Sequence, residues 1–210
     1  MTLKFFFSFS KINEEIKKKK KSLELDPKKL FDFFLKRTSF LDFEKKELLC
    51  FFIELQKLNF DKIYKNYLTH PIRVSDMYFQ NVKNTTVDDI KFTLSHNIIE
   101  CNFFNKLKKY LNDKQIEKIK ILTIDRSKEK KQIYLSQFYN KILNHSKNLL
   151  IFKSLDKMDN ALIGDKTLFS NHALNIFEKH IFTKLKKIDH NLYLYQRNLI
   201  KYVKKNILEK

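Results

Sequence analysis

The scarcity of glycine is the feature that most constrains how this chain can fold. Its 210 residues include a single glycine, Gly164, and two prolines, Pro27 and Pro71. The tight hairpins of a β-sheet need residues that accept a positive φ angle, most often glycine or asparagine. Helices joined by polar turns have no such need. We therefore predict an all-α protein, a helical bundle, with a loop at Gly164.

Apolar residues recur at helical spacing along most of the chain. Asp26 followed by Pro27 is typical of a helix start, and Thr86 with Asp89 predicts a capping box. Thr69 is predicted to cap a further helix. The predicted helices are 28–36, 41–57, Thr69 to Phe79, Thr86 to Cys101, 103–111, 113–121, 128–143, 148–160, 171–187 and 190–207.

The apolar pattern also predicts which side chains form the core and where the protein resides. Phe33 and Leu41 fall on the apolar positions of the first two helices after the lysine run, so we expect both in the core. Cys50 and Cys101 lie in apolar helical contexts, which predicts two buried thiols rather than a disulfide and favours a reducing compartment. No stretch is apolar for long enough to span a bilayer. We expect a cytoplasmic protein.

The domain organisation is predicted from composition and charge. Residues 1–24 contain five consecutive lysines, Lys17 to Lys21, which are typical of a solvated helix face or a loose arm. Residues 25–170 are expected to form the main helical domain. Residues 171–210 are expected to form a C-terminal helical pair that packs on this domain or makes a homodimer contact.

The net charge of +19 raises the possibility of a nucleic-acid partner, because clustered basic residues neutralise phosphates. Two features argue against this as the main function. Heavy use of Lys, Asn, Ile and Phe is what an AT-rich genome produces, and the basic residues comprise 39 lysines but only four arginines. Specific phosphate and base contacts favour arginine. The milder inference is a surface that attracts polyanionic small molecules such as nucleotides.

Three segments carry residue types that bind divalent metals. His70, His96 and Asp156 lie on three separate predicted helices, and imidazole nitrogens with carboxylate oxygens suit a divalent ion that activates water and polarises a phosphoryl oxygen. Glu100 is four residues after His96, so on a continuous helix both would share one face. Glu100 could then orient or deprotonate a water at the metal.

Two basic residues accompany the predicted ligands. Arg73 is three residues after His70, and Lys153 is three residues before Asp156, so each is predicted on the same helix face as a ligand. Both could bind a phosphate group. The alternative is that they are ordinary surface charges in a strongly basic chain.

These segments resemble the HD-domain metal-dependent phosphohydrolases, most closely the RelA/SpoT-type hydrolase domain and the small alarmone hydrolases. Residues 67–74, YLTHPIRV, are similar to the family pattern Y-I-x-H-P-x-x-V. Residues 94–101, LSHNIIEC, are similar to L-L-H-D-V-V-E-D, and residues 153–160, KSLDKMDN, to K-L-A-D-R-L-x-N. Their order and separations also agree with the family, and the resemblance covers roughly residues 60–165.

The resemblance implies a function and a set of site residues. The substrate would be a guanosine nucleotide with a 3′-pyrophosphate, hydrolysed to release pyrophosphate, and the usual ion would be Mn²⁺. Glu100 would match the first of two catalytic acids, and Asn160 would lie near the nucleotide. The implied metal ligands are His70, His96, Asn97 and Asp156.

The chain departs from the family pattern at two positions. Asn97 stands where the pattern has an aspartate, and Cys101 stands where it has the second acid. These departures favour a second function: an HD-type domain that has lost catalysis and binds a nucleotide or a protein partner as a sensor or scaffold. A basic helical nucleic-acid binder without a metal site is the third alternative.

Overall fold

The structure, a computed structural model, describes residues 9–60, 66–163 and 171–208. These residues form eleven α-helices and no β-strand, which confirms the predicted all-α fold. The predicted loop at Gly164 lies outside the described residues. The helices are α1 (Phe9–Ser22), α2 (Pro27–Arg37), α3 (Asp42–Gln56), α4 (Thr69–Asn81), α5 (Val87–Ser95), α6 (Phe104–Leu107), α7 (Asp113–Leu122), α8 (Gln132–His145), α9 (Lys147–Ile163), α10 (Asn171–Ile188) and α11 (His190–Val203).

The chain divides into two compact units. The central unit comprises Leu23–Thr123, and the terminal unit combines Met1–Ser22 with Ile124–Lys210. The predicted domain limits of 1–24, 25–170 and 171–210 stay a prediction.

The central unit is built around α4 and α5, which pack against each other. Helix α2 packs on α4, and α3 and α7 pack on α5. The predicted helix starts are confirmed: the Asp26 carboxylate accepts from the Lys29 amide at 3.0 Å, and Thr86 and Asp89 form the reciprocal bonds of a capping box. Ten consecutive residues of α4, Thr69–Tyr78, are buried. The histidine at its first turn is therefore held by a fully packed helix.

The terminal unit is built around α9, which packs against α1, α8, α10 and α11. Its buried residues include Phe152 and Leu155, both without exposed area. Helix α1 buries Ile12 and Ile16 while Lys17, Lys20 and Lys21 are exposed. Lys17, Lys20 and Lys21 therefore lie on a solvated face of α1.

Helix α5 is shorter than predicted: it ends at Ser95, whereas the predicted helix continues to Cys101. The His96 ring nitrogen Nδ1 bonds the Thr93 carbonyl at 2.7 Å, the acceptor that the Asn97 amide would use in a continuing helix. The following turns close at Asn102, whose φ of 60° is left-handed. Hydrogen bonds from Phe103 to Ile98 and from Asn102 to Ile99 complete a Schellman arrangement there.

Several residues predicted to be buried are exposed. Phe33 is 58% exposed and Leu41 is 61% exposed, whereas their neighbours Phe31 and Phe34 have no exposed area. Cys50 is exposed and Cys101 half-buried, so the prediction of two buried thiols is wrong. For Phe33 and Cys50 the reason is that apolar spacing leaves the buried arc of a helix uncertain by about one residue. Leu41 precedes α3 as its N-cap residue, and Cys101 lies in the turns after α5. None of the described helices is long and apolar enough to cross a membrane.

Candidate metal centre

His70 lies in the first turn of α4 and is 3% exposed. The prediction that Thr69 caps this helix is wrong, since the cap position is Leu68 and the Thr69 hydroxyl instead donates to the Asn66 carbonyl at 2.8 Å. Asn66 has a left-handed φ of 58°, which sets the direction in which the chain enters α4. Pro71 follows in the first turn, where its missing amide hydrogen costs nothing.

His96 lies at the C-terminal end of α5 and is also 3% exposed. Its Nδ1–H donates to the Thr93 carbonyl at 2.7 Å, and this bond assigns the lone pair of the neutral ring to Nε2. A ring oriented in this way by a backbone carbonyl is the usual state of a metal-binding histidine. The His70 and His96 ring centroids are 5.2 Å apart.

The separation of the two histidines is supported by a buried contact between their helices. The Ser75 hydroxyl of α4 and the Thr93 hydroxyl of α5 are 2.7 Å apart, and neither residue has exposed area. Thr93 also supplies the carbonyl that holds the His96 ring. Ser75 and Thr93 could not be predicted from the sequence, because buried hydroxyls in helices give no distinctive pattern.

Asp156 belongs to the terminal unit, on α9, and is 5% exposed. Lys153 Nζ donates to its Oδ2 at 2.8 Å, and Asn160 Nδ2 donates to its Oδ1 at 3.3 Å. The carboxylate is therefore oriented by residues one turn before and one turn after it. Burial, with a contribution from nearby Lys153, lowers the pKa of the neighbouring Lys157 to about 8.

The candidate ligands are His70 and His96 of the central unit and Asp156 of the terminal unit. All three residues are buried, and the group could hold a metal ion. Two imidazole nitrogens and one carboxylate form a donor set known from catalytic metal sites. The assignment of these three residues as metal ligands stays a prediction.

The predicted fourth ligand, Asn97, has a defined partner in the central unit. Its Nδ2 donates to the Tyr67 hydroxyl at 2.8 Å, and the Cys101 thiol lies 3.7 Å from the same oxygen. Tyr67 itself is 6% exposed and stacks on Phe60 with ring centroids 5.0 Å apart. The two residues that depart from the family pattern thus share one tyrosine, which the sequence analysis did not single out.

Glu100 and Arg73 differ from their predicted surroundings. The prediction that His96 and Glu100 lie on one continuous α-helix is wrong, because α5 ends at Ser95. Glu100 is half-buried in the turns that follow, and its role as a base stays a prediction. Arg73 is only 4% exposed, so the alternative of an ordinary surface charge is wrong for this residue.

In comparisons with known proteins, no family model, no curated protein and no solved structure matches the chain. The resemblance to the HD-domain phosphohydrolases therefore depends on the three segments described above.

Proposed function

We propose that this protein is a metal-dependent phosphohydrolase that acts on a phosphate or pyrophosphate ester of a nucleotide-like molecule. The observation that carries the proposal is the buried group of His70, His96 and Asp156. Two imidazoles and one carboxylate are donor types that catalytic divalent ions use in proteins. The oriented ring of His96 is further support.

Each residue has a proposed role. His70, His96 and Asp156 would hold the ion, Mn²⁺ by the family resemblance, with Asn97 as a weaker fourth oxygen donor. When bound, such an ion polarises a phosphoryl oxygen and lowers the pKa of water. Glu100 would take the proton of the attacking water. Arg73, Lys153 and Asn160 would bind the substrate, for which the resemblance suggests a guanosine 3′-pyrophosphate.

Elemental analysis of the purified protein, before and after soaking in Mn²⁺, is the first test. We expect about one equivalent of metal per chain after soaking, because the three side chains form a single group. The loaded protein is then expected to release pyrophosphate from guanosine 3′-pyrophosphates, followed by chromatography. Glu100→Gln should retain the metal and lose turnover.

The results separate binding from catalysis. Less than a tenth of an equivalent after soaking would contradict the metal centre itself. One equivalent of metal without turnover on any nucleotide phosphate ester would contradict the hydrolase and leave a binding domain. Unchanged turnover in Glu100→Gln would show that another group is the base.

The second candidate function is a domain without catalysis that binds a nucleotide or a protein partner as a sensor or scaffold. The Asn97 amide hydrogen and the Cys101 thiol both point to the Tyr67 hydroxyl, where the family pattern has two acids. A neutral amide balances less of the ion's charge than a carboxylate would, and a thiol does not replace a general acid.

Asn97→Asp distinguishes the two candidates. We expect the new carboxylate to accept a hydrogen bond from Tyr67 and to raise the affinity for Mn²⁺ by about tenfold, since charge near the ligands tunes metal affinity by such factors. Calorimetric titration measures the affinity, and the same preparation is assayed for turnover. Tighter binding with new or faster turnover would support a scaffold that is otherwise competent. Weaker binding would contradict the proposed place of Asn97 beside the ion.

A further inference from the structure

The positive charge of the chain is distributed unevenly between the two units. The terminal unit has 25 Lys and Arg against 10 Asp and Glu, a net charge of +15, while the central unit has 18 against 14, a net charge of +4. The units are of similar length. A compositional bias toward lysine codons acts on the whole chain and predicts similar charges, so it does not explain the difference.

Within the described part of the terminal unit, the exposed charges are almost all positive. Glu14 is the one acidic residue in the exposed range; the Asp125 and Glu129 side chains are 40% and 36% exposed and pair with Lys128 and Arg126. Helix α11 packs against both α1 and α10, and exposed basic residues lie on all three. They are Lys17, Lys20 and Lys21 on α1, Lys179, Lys184, Lys186 and Lys187 on α10, and Arg197, Lys201 and Lys205 on and just after α11.

Basic residues follow one another along α11 and the segment after it. Arg197 and Lys201 are four residues apart on α11, which places them on one face, about 6 Å apart along the helix axis. Lys205 comes four residues later, in the π-helical segment Lys204–Leu208. Like charges at this spacing repel each other and destabilise a helix. None of the three forms an ion pair within the described residues; Lys204, between them in sequence, instead pairs with Glu178 of α10. A polyanion along these residues would relieve the repulsion.

We propose that this basic face, the exposed Lys and Arg of α1, α10 and α11, binds the phosphate backbone of double-stranded nucleic acid without reading its sequence. Lysines act as point charges toward phosphates, and counterion release then provides the affinity. The face uses none of the proposed metal ligands. It is therefore an interaction surface additional to the proposed hydrolase site.

The surroundings of the face favour a duplex over two other polyanions. Proteins that bind single strands stack bases on exposed aromatic rings, and helices that bind membranes place bulky apolar side chains beside the cations. In the described part of the terminal unit, Ile133 of α8 is the one large hydrophobic side chain that is exposed. Exposed apolar side chains such as Phe33 and Phe43 lie in the central unit instead.

Fluorescence anisotropy with a labelled 20-base-pair duplex of mixed sequence tests the proposal at several salt concentrations. The variant replaces Arg197, Lys201 and Lys205 by Gln. We expect at least about tenfold weaker binding and a salt slope reduced by about 3, one for each lost phosphate contact. The matched control replaces three exposed lysines of the central unit, Lys36, Lys46 and Lys114, by Gln and removes the same total charge.

Retained affinity in the control, with loss in the α11 variant, would support a defined face. Equal losses in both would overturn it, because net charge alone would then account for binding. No binding to the duplex at 100 mM salt would also overturn it, as would binding to anionic vesicles alone. Metal content is measured on the same samples, so a failure of the metal centre is recognised separately from a failure of the basic face.

Discussion

His96→Ala is expected to lower the affinity for Mn²⁺ by at least about 100-fold while the helical circular dichroism signal stays unchanged. Loss of a residue that only orients a ligand costs 10- to 100-fold, so removal of the ligand itself should cost at least as much. The helix signal should persist because α5 has already ended at Ser95. Calorimetric titration with Mn²⁺ and elemental analysis measure the effect.

His172→Ala is the matched control, since His172 is exposed and lies at the start of α10. It should bind Mn²⁺ as tightly as the unmodified protein. Asp156→Asn is a second variant that keeps the shape of the side chain and removes the charge, in case His96→Ala unfolds the central unit. If both site variants bound Mn²⁺ with unchanged affinity, the assignment of the metal centre to these residues would be wrong.

Phe52→Ala is expected to lower the free energy of unfolding by about 3–5 kcal/mol, a large share of the total stability of a typical domain. Phe52 has no exposed area, and its ring stacks on Phe31 with centroids 4.1 Å apart. Truncation would leave a cavity in the central unit. Urea denaturation followed by circular dichroism measures the change.

Phe43→Ala gives the comparison on the same helix. Phe43 is 65% exposed, so its removal should change the free energy of unfolding by no more than about 0.5 kcal/mol. The exchange is chemically identical, and only burial differs. Equal destabilisation by the two variants would show that α3 does not present the buried face described here.

The three predicted metal ligands illustrate how far the sequence can define a site. Their residue types and their positions in helices can be predicted from the sequence, since His70 lies beside Pro71 at a helix start and Asp156 lies between Lys153 and Asn160. The hydrogen bond from His96 Nδ1 to the Thr93 carbonyl, which orients the ring, could not be predicted, because the same apolar spacing fits a helix that continues beyond Ser95.

The sequence itself determined the all-α fold, because a chain with one glycine lacks the residues that tight β-hairpins need. It also determined most helix limits, because caps such as Asp26 and apolar spacing depend on residues only a few positions apart. Tertiary packing decided which arc of each helix is buried, as the contrast between Phe31 and Phe33 shows, since spacing leaves that arc uncertain by one residue. It also decided that Asn97 donates to Tyr67, thirty residues earlier in the chain. The concentration of charge in the terminal unit depends on packing as well, because its two sequence segments become one unit only in the folded chain.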